Sequence, residues 1–168
     1  MRLALALLAV PALAYAEPHG AAIGAEVGDP VGITGAWFAH AVDVALSVGS
    51  GTLAGPGFQS HLDVQVIALH LAPDVPLRLG LGARVYNQHY TPQSHDEIPD
   101  WHLGARASVA LAYEHGAMQL YAEAAPGVDL WRSPSCSLVD GAMSICPHAM
   151  SSPAFVDVVV GARWFLSH

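Results

Sequence analysis

Four arginines set among glycines and small apolar residues offer the first chemistry in this 168-residue chain. In "PLRLGLGARVYN", Pro76 to Asn87, Arg78 and Arg84 share a phase with Gly80, Gly82 and Tyr86, while Leu77, Leu79, Leu81, Ala83 and Val85 hold the other. Arg106 in "HLGARASVALAYE" and Arg163 in "FVDVVVGARWF" stand in the same kind of alternation. Glu26, Asp43, Asp63, Glu114, Glu123 and Asp157 occupy the polar phase of their own segments. These residue types point to ion pairing, because a guanidinium fork bonds a carboxylate at two points and an ammonium does not. Gly80, Gly82, Gly104 and Gly161 leave room beside the long side chains.

Catalytic and metal chemistry find less support. A nucleophile needs a base within hydrogen-bond reach. Ser60–His61 and Ser94–His95 are adjacent in sequence, but adjacency does not bring side chains together, and neither pair has a positioned acid. The loop "NQHYTPQSHDEIPDWH" holds His89, His95, Asp96, Glu97 and His102, with His148 further on, in a spacing that matches no closed metal site. "GAEVGDPVGITG" is glycine-rich, but no helix follows to cradle a phosphate. No catalytic residue, metal or cofactor is assigned.

The elements that carry these residues read as strands. Period-two alternation recurs at Ile23–Gly28, Val42–Gly49, His61–Val66, Leu77–Asn87, His102–Glu114, Met118–Glu123 and Val156–Phe165, with "VGITGAWF" as a less regular member. That makes eight strands, and no helical period competes. Apart from the tight "GDPVG", long and short connections take turns: "GSGTLAGPGFQS" and "NQHYTPQSHDEIPD" are long, "APDVP" and "EHGA" short, and "RSPSCSLVDGAMSICPHAMSSP" longest. In an up-and-down meander this places short turns at one end and long loops at the other, the asymmetry of outer-membrane barrels. Trp101 and Trp131 fall at the long-loop end, and Trp37, Tyr113 and Trp164 near the short-turn end, as two aromatic belts would.

Two closed barrels suit such strands. A soluble lipocalin-like barrel turns its apolar face inward around a small hydrophobic ligand, and an outer-membrane barrel turns it to lipid. The polar face here is glycine, alanine, serine and charges of both signs, which suits a narrow interior filled by side chains better than a face wetted by water. The expected fold is therefore an all-β, eight-stranded antiparallel up-and-down transmembrane β-barrel whose arginines and acids pair within. A filled core argues against a wide pore.

The start of the chain, "MRLALALLAVPALAYAEP", carries Arg2, an apolar run from Leu3 to Leu13 and a small-x-small site at Ala14–Ala16. Residues 1–16 read as a secretory signal peptide and residues 17–168 as one barrel domain. Export places Cys136 and Cys146 in an oxidising compartment, where a disulfide contributes roughly 2–3 kcal/mol; two free thiols or a metal pair is the alternative. Mean hydropathy is +0.39. The net charge is −8 and lysine is absent, which disfavours nucleic acid as a partner.

The segments "GAEVGDPVGITGAWF", "VPLRLGLGARV", "LGARASVALAYEHGAMQLYAEAAPGVDLW" and "VVVGARWF", in that order, resemble the small eight-stranded outer-membrane β-barrel proteins of OmpA/OmpX-type architecture. The resemblance covers nearly all of residues 17–168. It implies residence in the outer membrane among its lipids and no known catalytic residue. It also implies insertion by the barrel-assembly machinery, which recognises a terminal aromatic residue. Here Leu166, Ser167 and His168 follow Phe165. The long loops, above all Arg132 to Pro153, are expected to meet external partners. A soluble periplasmic calyx and a lipid-modifying barrel enzyme are the alternatives.

Overall fold

The computed structural model describes residues 19–40, 42–51, 57–88, 100–133, 138–139, 142–143 and 154–166. The proposed signal peptide, Cys136, Cys146, Ser94, His89, His95, Asp96, Glu97, His148, Ser167 and His168 lie outside them.

Eight long strands alternate in direction: β1 (Gly20–Gly28), β2 (Val31–Ala39), β3 (Val42–Ser50), β4 (Phe58–Ala72), β5 (Val75–Gln88), β6 (Asp100–His115), β7 (Met118–Arg132) and, after a two-stranded hairpin of β8 (Leu138–Val139) and β9 (Ala142–Met143), β10 (Ala154–Phe165). Each long strand pairs antiparallel with its neighbours, and β1 pairs with β10 from Ala22–Phe165 to Gly28–Val159, so the sheet closes into a barrel. The two ends differ. Short connections follow β2, β4 and β6, and longer ones follow β3, β5 and β7. The β1–β2 turn shares the long-loop end but is short.

Several strands run past the alternating segments. β4 begins at Phe58 and continues to Ala72 through two register shifts against β5, after Ile67 and after His70. Its last residues, Ala68 to Ala72, are exposed on both faces, so this hairpin stands beyond the barrel rim. β7 continues from Glu123 to Arg132 through Pro126. Pro126 has no N–H to donate, and the β6–β7 pairing skips it, passing from Arg106–Gly127 to Val109–Ala124.

Burial alternates with the pleat. Along β3, Asp43, Ala45 and Ser47 are buried while Val42, Val44 and Leu46 are exposed. Leu81 is 72% exposed and Arg84 only 4%. The barrel therefore turns its charged face inward and its aliphatic face outward around its whole circumference. At the short-turn end the interior is apolar: Phe38 and Phe165 meet edge to face at 5.0 Å, with Ala22, Ala36 and Ala45 around them.

Close approach makes glycine necessary at Gly161. A Cβ there would lie 2.5 Å from the Tyr121 ring and hydroxyl. At Gly35 the nearest atom would be the Ala22 carbonyl oxygen at 3.7 Å, an ordinary contact. Gly161→Val should therefore lower stability by about 1–3 kcal/mol, while Gly35→Ala should stay within about 0.5 kcal/mol. Urea titration of the refolded barrel in detergent micelles measures both.

Candidate functional site in the barrel interior

The inward phase of seven strands builds one ionic core. Among the described side chains, Arg78, Arg84, Arg106, Arg163, Glu26, Asp43, Asp63, Glu123 and Asp157 are each at most 5% exposed, and Glu114 is half-buried near the short-turn rim.

Arg106 on β6 is the hub. Its Nη2 donates to Glu123 on β7, its Nη1 donates to Asp157 on β10 at 3.0 Å, and its Nε lies 3.1 Å from Asp63 on β4. Asp157 also accepts from Arg84 on β5. Arg84 lies over the Phe155 ring, 3.5 Å from its centroid, and over Tyr86 at 4.1 Å. Nearer the short turns, Arg78 bridges Asp43 and Glu114, the second at 2.7 Å, and sits 5.3 Å from the Phe38 centroid. The ionic core thus rests on the apolar plug.

Arg163 and Glu26 take neutral partners for their hydrogen bonds. Arg163 donates to Thr34 at 2.9 Å and to Gln119 at 3.3 Å, and it lies over the Tyr121 ring. Tyr121 donates to Glu26 at 2.6 Å. Gln65 donates to Glu123 at 2.7 Å and to Ser108 at 3.3 Å. The parity of a strand names a face and not a partner, so the sequence marks these inward residues without marking who meets whom.

At the long-loop end lies a second polar group. Tyr86 donates to Asp129 at 3.2 Å, and Arg132 donates from Nε to His102 Nδ1 at 3.1 Å. The Tyr86 and His102 rings stack at 4.1 Å. His102 was grouped by sequence with the histidines of the preceding loop, but it belongs to this mouth. His61 is buried inside the barrel, and Ser60 points to the opposite face, so the two do not form a nucleophile–base pair.

The belt aromatics all face outward. Trp37 is 59% exposed and Trp164 58%, with Tyr113 beside them at the short-turn end. Trp131 and Trp101 face outward at the long-loop end, where Phe58 joins Trp101 with ring centroids 6.0 Å apart. Phe58 has no alternating partner before Gln59, which is why the sequence pattern passes over it.

Comparison of the chain with family models, with curated proteins and with solved structures found no match. The class is therefore set by architecture: an all-β, eight-stranded antiparallel closed barrel, consistent with the OmpA/OmpX-type arrangement.

Among the described residues, removing Arg106 would take the only paired guanidinium from buried Asp63 and Glu123 and one of two from Asp157. Arg106→Met should cost about 3–5 kcal/mol, as breaking a buried ionic group does. Arg84→Leu should cost less, because Asp157 keeps Arg106, and Leu81→Val should stay within about 0.5 kcal/mol. Equilibrium unfolding of the three variants in one detergent gives the order.

Proposed function

We propose that this chain is an outer-membrane β-barrel with a plugged polar interior, exported by a signal peptide, and that its role is structural or one of surface contact through the loops at one end. One observation carries the reading. The aliphatic residues form an exposed band around the closed barrel, and the buried side chains are largely polar or charged. Water would make that arrangement costly, whereas lipid favours it. The long strands have at least 9 residues, the length a tilted spanning strand needs, about 9–11. Tryptophans at both ends of the band suit the two interfaces where amphipathic rings settle.

The ionic filling opposes the two alternatives. A calyx for a hydrophobic ligand needs an apolar hollow, and here the barrel's middle holds guanidinium groups and carboxylates. A lipid-modifying enzyme needs a nucleophile beside a base, and among the described residues the Ser60–His61 pair is split between the two faces, while Ser94–His95 lies outside them. Solute passage through a wide pore is opposed by the same filling.

Leu81→Arg separates a lipid-facing surface from a water-facing one. Leu81 pairs with Val64 and Ala107 at mid-strand. In a bilayer the substitution should cost about 2–4 kcal/mol of folding stability, and in water it should be almost neutral at so exposed a site. Refolding into vesicles, followed by urea titration, measures the difference. Sodium carbonate extraction of membranes from expressing cells should leave the wild-type chain in the pellet, and its release into the supernatant would reject the assignment.

The tryptophan belts give a further expectation. In vesicles, a bromolipid labelled near the headgroup should quench the four tryptophans more strongly than one labelled near the chain terminus. Stronger quenching from the chain terminus would reject the interfacial placement.

A further inference from the structure

The outer wall has a gap. On the outward phase of β2, Gly35 is the one residue without a side chain. Its cross-strand neighbours are Ile23 on β1 and Leu46 on β3. Ile33 beside Val48 stands at one end of this gap, and Trp37 beside Val44 at the other. Ile23, Ile33, Trp37, Val44 and Leu46 are all exposed. Together they bound a notch of about 370 Å³ with Gly35 as its floor and no charged residue in its lining. A Cβ at Gly35 would meet nothing closer than the Ala22 carbonyl oxygen at 3.7 Å. Open space stands over this glycine, whereas a Cβ at Gly161 would meet the Tyr121 ring.

Length, position and lining bear on what fills the notch. Four residue steps separate Ile33 from Trp37, about 13 Å of strand. One leaflet of hydrocarbon is about 15 Å deep, half of the bilayer core, so a notch on a tilted strand fits within a leaflet. Its Trp37 end faces the short-turn rim, where an exposed indole suits the interface. The notch thus starts at an interface and runs into the hydrocarbon, as a lipid tail does. A second copy of the chain suits it less. A standard protein interface takes about 800 Å² from each partner and carries a polar rim, and this notch offers six apolar side chains and a glycine floor, with no charged group.

Lipid tails are as apolar as leucine, so packing decides where a tail prefers to lie. On a flat stretch of wall a tail touches protein on one side. In the notch it touches Gly35 beneath and Ile23 and Leu46 on either flank, and these small dispersion gains add up. We propose that the notch over Gly35 holds one acyl chain of a phospholipid from the leaflet at the short-turn end, a fixed lipid site on the wall of β1 to β3. The site rests on the outer-membrane reading, in which the short turns and that leaflet are periplasmic.

The full chain is refolded into detergent micelles, mixed with palmitoyl-oleoyl phosphatidylethanolamine, and weighed by native mass spectrometry as the detergent is stripped away. Wild type should keep a single phospholipid per chain. Gly35→Leu fills the floor and Leu46→Ala removes a flank, and each should lower retention by about tenfold. The two substitutions change side-chain volume in opposite senses, so a general effect of outer-face bulk would move them apart. Ala83→Leu, at an exposed outward position on β5, should keep the lipid as wild type does. Folding of each variant is read from its shift on unheated gels. Should Gly35→Leu not fold, Leu46→Ala and the milder Gly35→Ala decide by the same reading. Wild type that keeps no phospholipid, or folded notch variants that keep it as well as wild type, overturns the site. A dimer mass that Gly35→Leu abolishes also overturns it and gives the notch to a second copy. Release of the wild-type chain by carbonate would reject the outer-membrane reading itself, whereas a chain that stays in the pellet and keeps no Gly35-dependent lipid rejects the lipid site alone.

Discussion

Burying a guanidinium group costs several kcal/mol unless a carboxylate meets it, and that constraint organises the molecule. Arg106 meets carboxylates from β4, β7 and β10. Arg84 adds β5 through Asp157, and Arg78 draws β3 and β6 together through Asp43 and Glu114. Four of these six contacts link strands that are not neighbours in the sheet, while Arg106–Glu123 and Arg78–Glu114 span adjacent ones. Backbone hydrogen bonds hold each strand to the next around the wall; the charged groups hold the wall to itself across the middle. The pairing leaves little freedom of register, since a shift by one residue would send each arginine to the outer face.

The small residues of the inner face are the other half of that arrangement. Gly82 leaves space for the Asp63 carboxylate, Gly161 for the Tyr121 ring and Gly104 for the Phe155 ring. Phe155 in turn carries Arg84 on its face. A narrow cylinder can hold this many large polar groups only if the residues beside them have no side chain. The glycines and arginines of "LRLGLGAR" are thus one structural device: some positions supply bulk and charge, and their neighbours supply its volume.

Much of this was legible in the chain because a strand has only two faces. Alternation at Leu77–Asn87 and at Val156–Phe165 shows which residues lie together, and the order of long and short connections shows which ends lie together. Strand limits were harder where that rhythm fails. β4 outruns its alternating part because two register shifts carry it past Ile67, and β7 passes through Pro126 because one neighbour omits two pairs there. Partners were not legible. Arg163 turns to Thr34 and Gln119, and His61 meets Glu26 from a strand far away in sequence, because curvature sets those distances and local spacing carries no trace of it. The inward tyrosines and glutamines are placed on their face by the same alternation, but their partners were not legible, because their polar ends matter only once the opposite wall is in place.

The seam between β1 and β10 has its own consequence. It joins the earliest described strand to the latest, over the pairs Ala22–Phe165 through Gly28–Val159. A nascent chain that has emerged only as far as Trp131 lacks the piece that closes the ring, and both of its borders then carry unsatisfied amide and carbonyl groups. Closure of the ring must therefore wait for the final segment to leave the ribosome, which makes it a post-translational event.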